Sequence, residues 1–261
     1  MQKILVLFFM IITGAVLTMS AQNDKTKVTA HRGASGHAPE NTLSSMQEAI
    51  NMKADFSEID VQETADGELI LLHDGSLKRT TGLDKGIWET NYDEVKMLDA
   101  GSWFGEKFKG EKIPTLAEVI DSVKGKMRLN IELKTNKHEK KLADLAAQVV
   151  KDKNFEKECV FTSFAYSQIK RVKEIDKNLK VGLIFSNMPE DFDVFAADMD
   201  LLSVHYKLVD ADFVKKAKAN GKEVHVWTVN DEAEMNRLID IGVTSIITNY
   251  PDKLNAVLAG R

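Results

Sequence analysis

Glu58 and Asp60 are two carboxylates separated by a single residue, Ile59, in a strand-like run. Strand side chains alternate, so the two acids share one face while Ile59 takes the other. Like charges held together repel and are costly to bury, and a hard divalent cation relieves both problems. Taken alone, the pair fits a solvated polar face equally well. The run Arg128-Leu129-Asn130-Ile131-Glu132-Leu133-Lys134 tips the balance. Its apolar residues Leu129, Ile131 and Leu133 form one face, which leaves Asn130, Glu132 and Lys134 on the other. Glu132 supplies a third oxygen ligand beside Glu58 and Asp60, a set suited to one divalent cation, Ca²⁺ or Mg²⁺, over a soft metal.

Other side chains suit phosphate chemistry. The first strand runs into His31-Arg32-Gly33. Arg32 can clamp phosphate oxygens with its fork of donors, and Lys134 can meet a phosphate or a developing oxyanion. Gly33 allows close backbone approach or positive φ. A second imidazole, His73, returns toward Glu58 and Asp60 after a short turn. Imidazole titrates near neutrality, so two of them flanking a metal-bound phosphodiester can serve as base and acid. Trp227 ends a late strand, where it either walls the substrate pocket or caps the core. His37, His138, His205 and His225 are weaker candidates, and His225 reads as a core histidine.

Positioning these groups needs parallel strands. Short apolar runs at 28–31, 56–60, 128–133, 159–163, 181–185, 201–205, 223–227 and 245–248 alternate with helical patterns. The patterns fall near 41–53, 116–124, 138–153, 165–176, 189–197, 210–220 and 231–240. Eight strands with helical crossovers predict an α/β fold, a TIM-type (β/α)8 barrel, whose chemistry sits at the C-terminal strand ends. Ala65-Asp66-Gly67 marks a tight turn, so 68–73 is expected to be an antiparallel return strand outside the count of eight. Residues 74–115 then form an irregular excursion. Its aromatics Trp88, Trp103, Phe104 and Phe108 are expected mainly to pack it onto the barrel.

Composition sets outer limits. The 261-residue chain is 43% hydrophobic and 29% charged, with a formal net charge of −5. Such a balance suits a single barrel domain and argues against gripping a nucleic-acid backbone. Lys3, the apolar stretch 4–19 and the small residues Ser20 and Ala21 read as a cleavable secretory signal over 1–21. The mature domain would then span 22–261, secreted or periplasmic, with no stable membrane insertion. A retained anchor is the weaker alternative, because about 16 residues fall short of a bilayer span. Cys159 is the single cysteine, expected to be buried and inert.

With these residues in view, the sequence resembles the glycerophosphodiester phosphodiesterase family. The matching segments include His31-Arg32-Gly33, Pro39-Glu40-Asn41-Thr42, Glu58-Ile59-Asp60-Val61 and Thr64-Ala65-Asp66-Gly67. They continue through His73-Asp74, Ile113-Pro114-Thr115-Leu116, Ile131-Glu132-Leu133-Lys134, Val226-Trp227-Thr228-Val229-Asn230 and Thr248-Asn249-Tyr250-Pro251-Asp252. The resemblance implies a TIM barrel with an insertion, and a small-molecule glycerophosphodiester as substrate. It implies metal ligation by Glu58, Asp60 and Glu132, acid–base catalysis by His31 and His73, and phosphate contacts from Arg32 and Lys134. One departure is Asn249, where the family commonly carries Asp. That strand end is expected to lie outside the metal constellation, affecting substrate fit at most. A lysophospholipase D-type activity on the same barrel is the nearest rival; a non-catalytic phosphate- or glycan-binding barrel is the remote one.

Overall fold

The computed structural model describes residues 25–261, so the expected signal segment at 1–21 lies outside the described residues. Nine strands share one sheet: β1 Lys27–His31, β2 Phe56–Glu63, β3 Leu69–Leu71, β4 Arg128–Leu133, β5 Cys159–Ser163, β6 Val181–Phe185, β7 Leu201–His205, β8 Glu223–Trp227 and β9 Ser245–Thr248. Eight are parallel neighbours in a ring, because β1 pairs with both β9 and β2. The exception is β3, which pairs antiparallel with β2 alone in the register Val61↔Leu71. The eight-strand count and the return hairpin therefore stand as the alternation and the Asp66-Gly67 turn predict.

Crossover helices seal the outside of the ring. The helix Leu116–Val123 buries Leu116, Val119, Ile120 and Val123, a stripe at helical spacing. Its start is fixed by Thr115, whose hydroxyl accepts from the Glu118 amide while the Glu118 carboxylate accepts from the Thr115 amide. Thr42 and Ser45 make the same reciprocal cap for Leu43–Asn51. Against these helices the outward strand residues Leu129, Ile131 and Leu133 are fully buried. Removing one such side chain would cost about 2–5 kcal/mol.

Two segments depart from the sequence reading. No helix forms over 189–197; turns and bends run there instead. Asp193 caps a single turn there, its carboxylate accepting from the Phe195 amide and its carbonyl from Ala196 and Ala197, and the turn is not continued. Conversely, Pro251–Ala259 is a helix that the periodicity did not single out, with Pro251 at its first turn and Leu254 and Leu258 buried.

The excursion at 74–115 is more ordered than expected. It carries short helical turns at Lys78–Thr81, Ile87–Glu89, Tyr92–Val95 and Glu106–Phe108. Together with Ile70 and Leu72 it builds a second apolar cluster from Leu77, Ile87, Val95, Ala100 and Ile113. Trp88 packs against that cluster, whereas Trp103 remains 42% exposed. Cys159 is buried as expected, its thiol pushed up to about 12 by burial and then by Glu156 and Glu158.

Candidate active site

The site forms where β1, β2 and β4 end side by side. Register sets His31 beside Glu58, and Asp60 beside Glu132. Ligand oxygens of Glu58, Asp60 and Glu132 lie within 4.8 Å of one another, and all three residues are buried. Burial, followed by repulsion from Asp60 and Glu132, pushes the Glu58 carboxyl well above the ordinary range. Glu132 is pushed up to about 7 by burial and then by Asp60. Burial works the same way on Asp60, but Arg32 and Lys134 outweigh it and hold that carboxyl low. Three oxygen donors short of positive charge fit a hard divalent cation.

The turn after β1 is built for close approach. Arg32 and Gly33 have φ of 54° and 79°, in the left-handed region. A Cβ on Gly33 would lie 2.3 Å from the Ser45 hydroxyl oxygen, so only glycine fits. The Arg32 amide donates to Glu58 Oε2 at 3.1 Å and the Gly33 amide to Ser57 Oγ at 3.0 Å, which bends the chain over the acids. Asn41 grips Asp60 from both sides: its Nδ2 donates to Oδ2 at 2.8 Å, and its Oδ1 accepts from the Asp60 amide at 3.2 Å.

Both cations expected to meet phosphate are engaged by carboxylates. Arg32 Nη1 donates to Glu40 Oε1 at 2.9 Å, and its Nε stands 3.2 Å from Asp60 Oδ2 without hydrogen-bond alignment. Lys134 Nζ lies 3.0 Å from Glu132 Oε1 and 3.5 Å from Asp60 Oδ1. Both nevertheless line the same cleft, which encloses about 500 Å³, part of it open to solvent.

His31 and His73 face this cleft together. Nε2 of His31 is 3.9 Å from Glu58 Oε2, while Nδ1 is 2.7 Å from Asn249 Oδ1. An amide oxygen only accepts, so Nδ1 carries the proton and Nε2 is left bare. Burial, then the Arg32 charge, pushes this imidazole down to about 4. His73 has a different partner, its Nδ1 lying 2.8 Å from Asp74 Oδ1. Asp74 is in turn bound by Arg79 Nε at 2.6 Å, and Arg79 also reaches both oxygens of Glu40. The hairpin ending that sets His73 is tied by Gln62, whose Nε2 donates to the carbonyls of Leu72 and Asp74 at 2.7 Å each.

Asn249 corrects one expectation. It is not among the three grouped acids, as expected, but its reach is not confined to substrate fit: it bonds directly to the proposed catalytic His31, and its Oδ1 also accepts from Ser35 Oγ at 3.1 Å. Its own amide donates to Asn230 Oδ1 at 2.9 Å. Glu40, Asn41 and Asn249 lay within family-like segments without an assigned task. Arg79 and Phe164 carried no signal, because nothing in strand spacing marks a loop residue that reaches a distant site.

Trp227 lines the cleft opposite the acids and meets Phe164 edge-on, with centroids 5.7 Å apart. Phe164 is half exposed at the mouth, with Lys134 Nζ 5.9 Å from its ring. The other histidines are occupied elsewhere: His225 is buried with Nε2 3.2 Å from Glu223, His138 stacks on Trp88, and His37 pairs with Asp252. His205 stands edge-on to Trp227 at 5.4 Å.

The chain is similar to known proteins over most of its length. Residues 31–253 match the model of the glycerophosphoryl diester phosphodiesterase family. A glycerophosphodiester phosphodiesterase of Caldanaerobacter subterraneus is 38% identical over 239 residues, covering 88% of this chain and 96% of that one. One from Bacillus subtilis is 35% identical over 257 residues, covering 91% and 88%. Among solved structures, an Oleispira antarctica phosphodiesterase in complex with sn-glycerol-3-phosphate superposes with a TM-score of 0.84. That match is 33% identical and covers 90% of this chain and 97% of the other.

Proposed function

The chain belongs to the glycerophosphoryl diester phosphodiesterase family, and from that premise we propose that it hydrolyses glycerophosphodiesters to an alcohol and glycerol 3-phosphate. The observation that carries the reading is the meeting of three buried carboxylates and two histidines in one cleft. Glu58, Asp60 and Glu132 would hold one divalent cation, calcium or magnesium. A cation bound there would neutralise phosphate charge and polarise the phosphorus for attack.

The chain's own groups do the rest. Arg32 and Lys134 border the cleft, where their donors would meet the phosphate oxygens. His31, with Nδ1 committed to Asn249, offers Nε2 as the acceptor of a proton. That proton comes from the attacking oxygen, either water or the glycerol hydroxyl beside the phosphoester. As the new P–O bond forms, the ester P–O bond breaks, and His73 gives its proton to the departing alkoxide. With Nδ1 held by Asp74 Oδ1 at 2.8 Å, Nε2 is the atom left to give that proton. Intramolecular attack would first give a cyclic phosphate, which water then opens, and it gains from proximity.

A lysophospholipase D-type activity is the second reading, favoured by the apolar rim. Phe164 is half exposed at the mouth, and Trp103 is exposed beneath the Arg79 guanidinium. We also propose export from the cytoplasm by residues 1–21, supported by their signal-like pattern; among the described residues no helix is long and apolar enough to cross a membrane.

One plate tests the reading. Glycerophosphocholine, other glycerophosphodiesters and lysolipids are offered with calcium or magnesium, with EDTA as control. His31→Ala and Glu58→Ala should each lose about 10²–10⁴-fold in glycerol phosphate release. Unchanged turnover in either variant discards the assignment, and preferred release from lysolipids selects the second reading.

A further inference from the structure

Apolar exposure is confined to one end of the barrel. Among the described residues, five large hydrophobic side chains are exposed: Leu43, Met97, Trp103, Phe164 and Met188. All five lie on stretches that leave the C-terminal ends of barrel strands, the end on which the cleft opens. Three of them follow the strand order around the mouth. Trp103 belongs to the excursion and lies against Arg79, which binds Asp74 beside His73. Phe164, 50% exposed, directly follows β5 and lines the cleft, and Met188, 45% exposed, follows β6. Between them and the excursion, after β4, the stretch 134–141 carries Lys134, Lys137, Lys140 and Lys141 against one acid, Glu139. Lys137, Lys140 and Lys141 are exposed. His138 stacks on Trp88 with centroids 4.3 Å apart, which fastens this basic stretch to the excursion.

Grouped apolar exposure marks an interaction surface, and its place limits the partner. A rigid protein or a second copy seated on this rim would cover the cleft and shut out the substrate. A fluid lipid surface covers the same rim and itself delivers molecules to the mouth. Charge agrees with lipid. The chain carries a net charge of −5, yet this sector is rich in lysine, which suits anionic head groups. Elsewhere on the rim the stretches after β7, β8 and β9 carry Asp210, Asp231 and Asp252, and Glu190 and Asp191 end the sector past Met188. Resting on the phosphodiesterase reading above, we propose that the sector from Trp103 to Met188 docks the barrel, mouth first, onto an anionic lipid surface. Trp103, Phe164 and Met188 enter the head-group layer while the lysines meet lipid phosphates. The apolar wall of Ile184, Trp227 and Phe164 then leads from the lipid into the cleft.

Docking and turnover are read separately. Vesicles of phosphatidylcholine, with or without phosphatidylglycerol, are added to the full chain while tryptophan emission is followed. The anionic vesicles should shift emission to the blue, and Trp103→Phe should lose most of that shift, since Trp88 packs against the excursion's own cluster. Replacing Lys137→Gln together with Lys141→Gln should weaken binding at least about tenfold, at roughly fivefold for each lysine near a charged surface. Raised salt should weaken it too. Turnover of soluble glycerophosphocholine should be unchanged in the double variant. No shift with anionic vesicles overturns the docking surface. So do a shift and an affinity that survive these substitutions, which would assign attachment to the apolar stretch 4–19. A dimer in analytical ultracentrifugation that Met188→Glu dissociates also overturns it, because a second copy then owns the rim. Docking without any turnover would sink the catalytic reading and leave the lipid surface standing.

Discussion

His31 Nδ1 and Asn249 Oδ1 lie 2.7 Å apart, so the imidazole proposed to take up a proton is oriented by a neutral amide. The amide fixes the tautomer without adding charge to a site that already holds three acids.

Asn249→Ala should therefore lower kcat about 10–100-fold with little change in KM, the usual cost of removing a group that orients a catalytic one. Asn249→Asp keeps an acceptor for Nδ1 and should retain much more activity than the alanine variant. Steady-state kinetics on glycerophosphocholine decides it; equal rates for wild type and Asn249→Ala would refute the orienting role.

Metal binding should couple to pH with a definite sign. Without an ion, the folded chain holds a proton on Glu132, whose carboxyl is pushed from 4.5 up to about 7 by burial and then by Asp60. The unfolded chain releases that proton near 4.5, so the ion-free fold loses stability as pH climbs between those values. Glu58, raised by the same causes, adds in the same direction. Asp60 is held low by Arg32 and Lys134 against the opposing effect of burial, and it matters only in more acid solution. The rise in Tm on adding calcium or magnesium should accordingly be small near about pH 5 and grow toward about pH 7.5. A rise of equal size at both would contradict the proton count.

Arg79 spans the two halves of the mouth, binding Asp74, which holds His73, and Glu40, which holds Arg32. Arg79→Ala should cut kcat/KM about tenfold while the circular dichroism spectrum stays unchanged. Arg79→Lys should recover only part of the loss, because an ammonium cannot serve both carboxylates with a fixed fork. Full recovery by lysine would mean that charge alone suffices there.

Strand-borne chemistry was legible in the sequence because alternation is rigid. Glu58, Asp60, Asn130, Glu132 and Lys134 follow from period two on β2 and β4, and His73 follows from the Asp66-Gly67 turn. What escaped sits where no period operates. Arg79 and Glu40 meet across the interval between an excursion and a loop, and Asn249 reaches His31 only because the barrel closes β9 onto β1. The expected helix at 189–197 had suitable apolar spacing but shrinks to one turn capped by Asp193.

The three-residue strand β3 serves two interiors at once. Leu69 and Leu71 belong to the barrel core, and Ile70 belongs to the cluster under the excursion, as does Leu72 just beyond the strand. It is a party wall, and its alternation has no slack. A slip of one position would exchange the two sets of side chains and swing His73 away from the cleft. The excursion beyond Asp74 and Arg79 therefore hangs on whether this short partition keeps its phase.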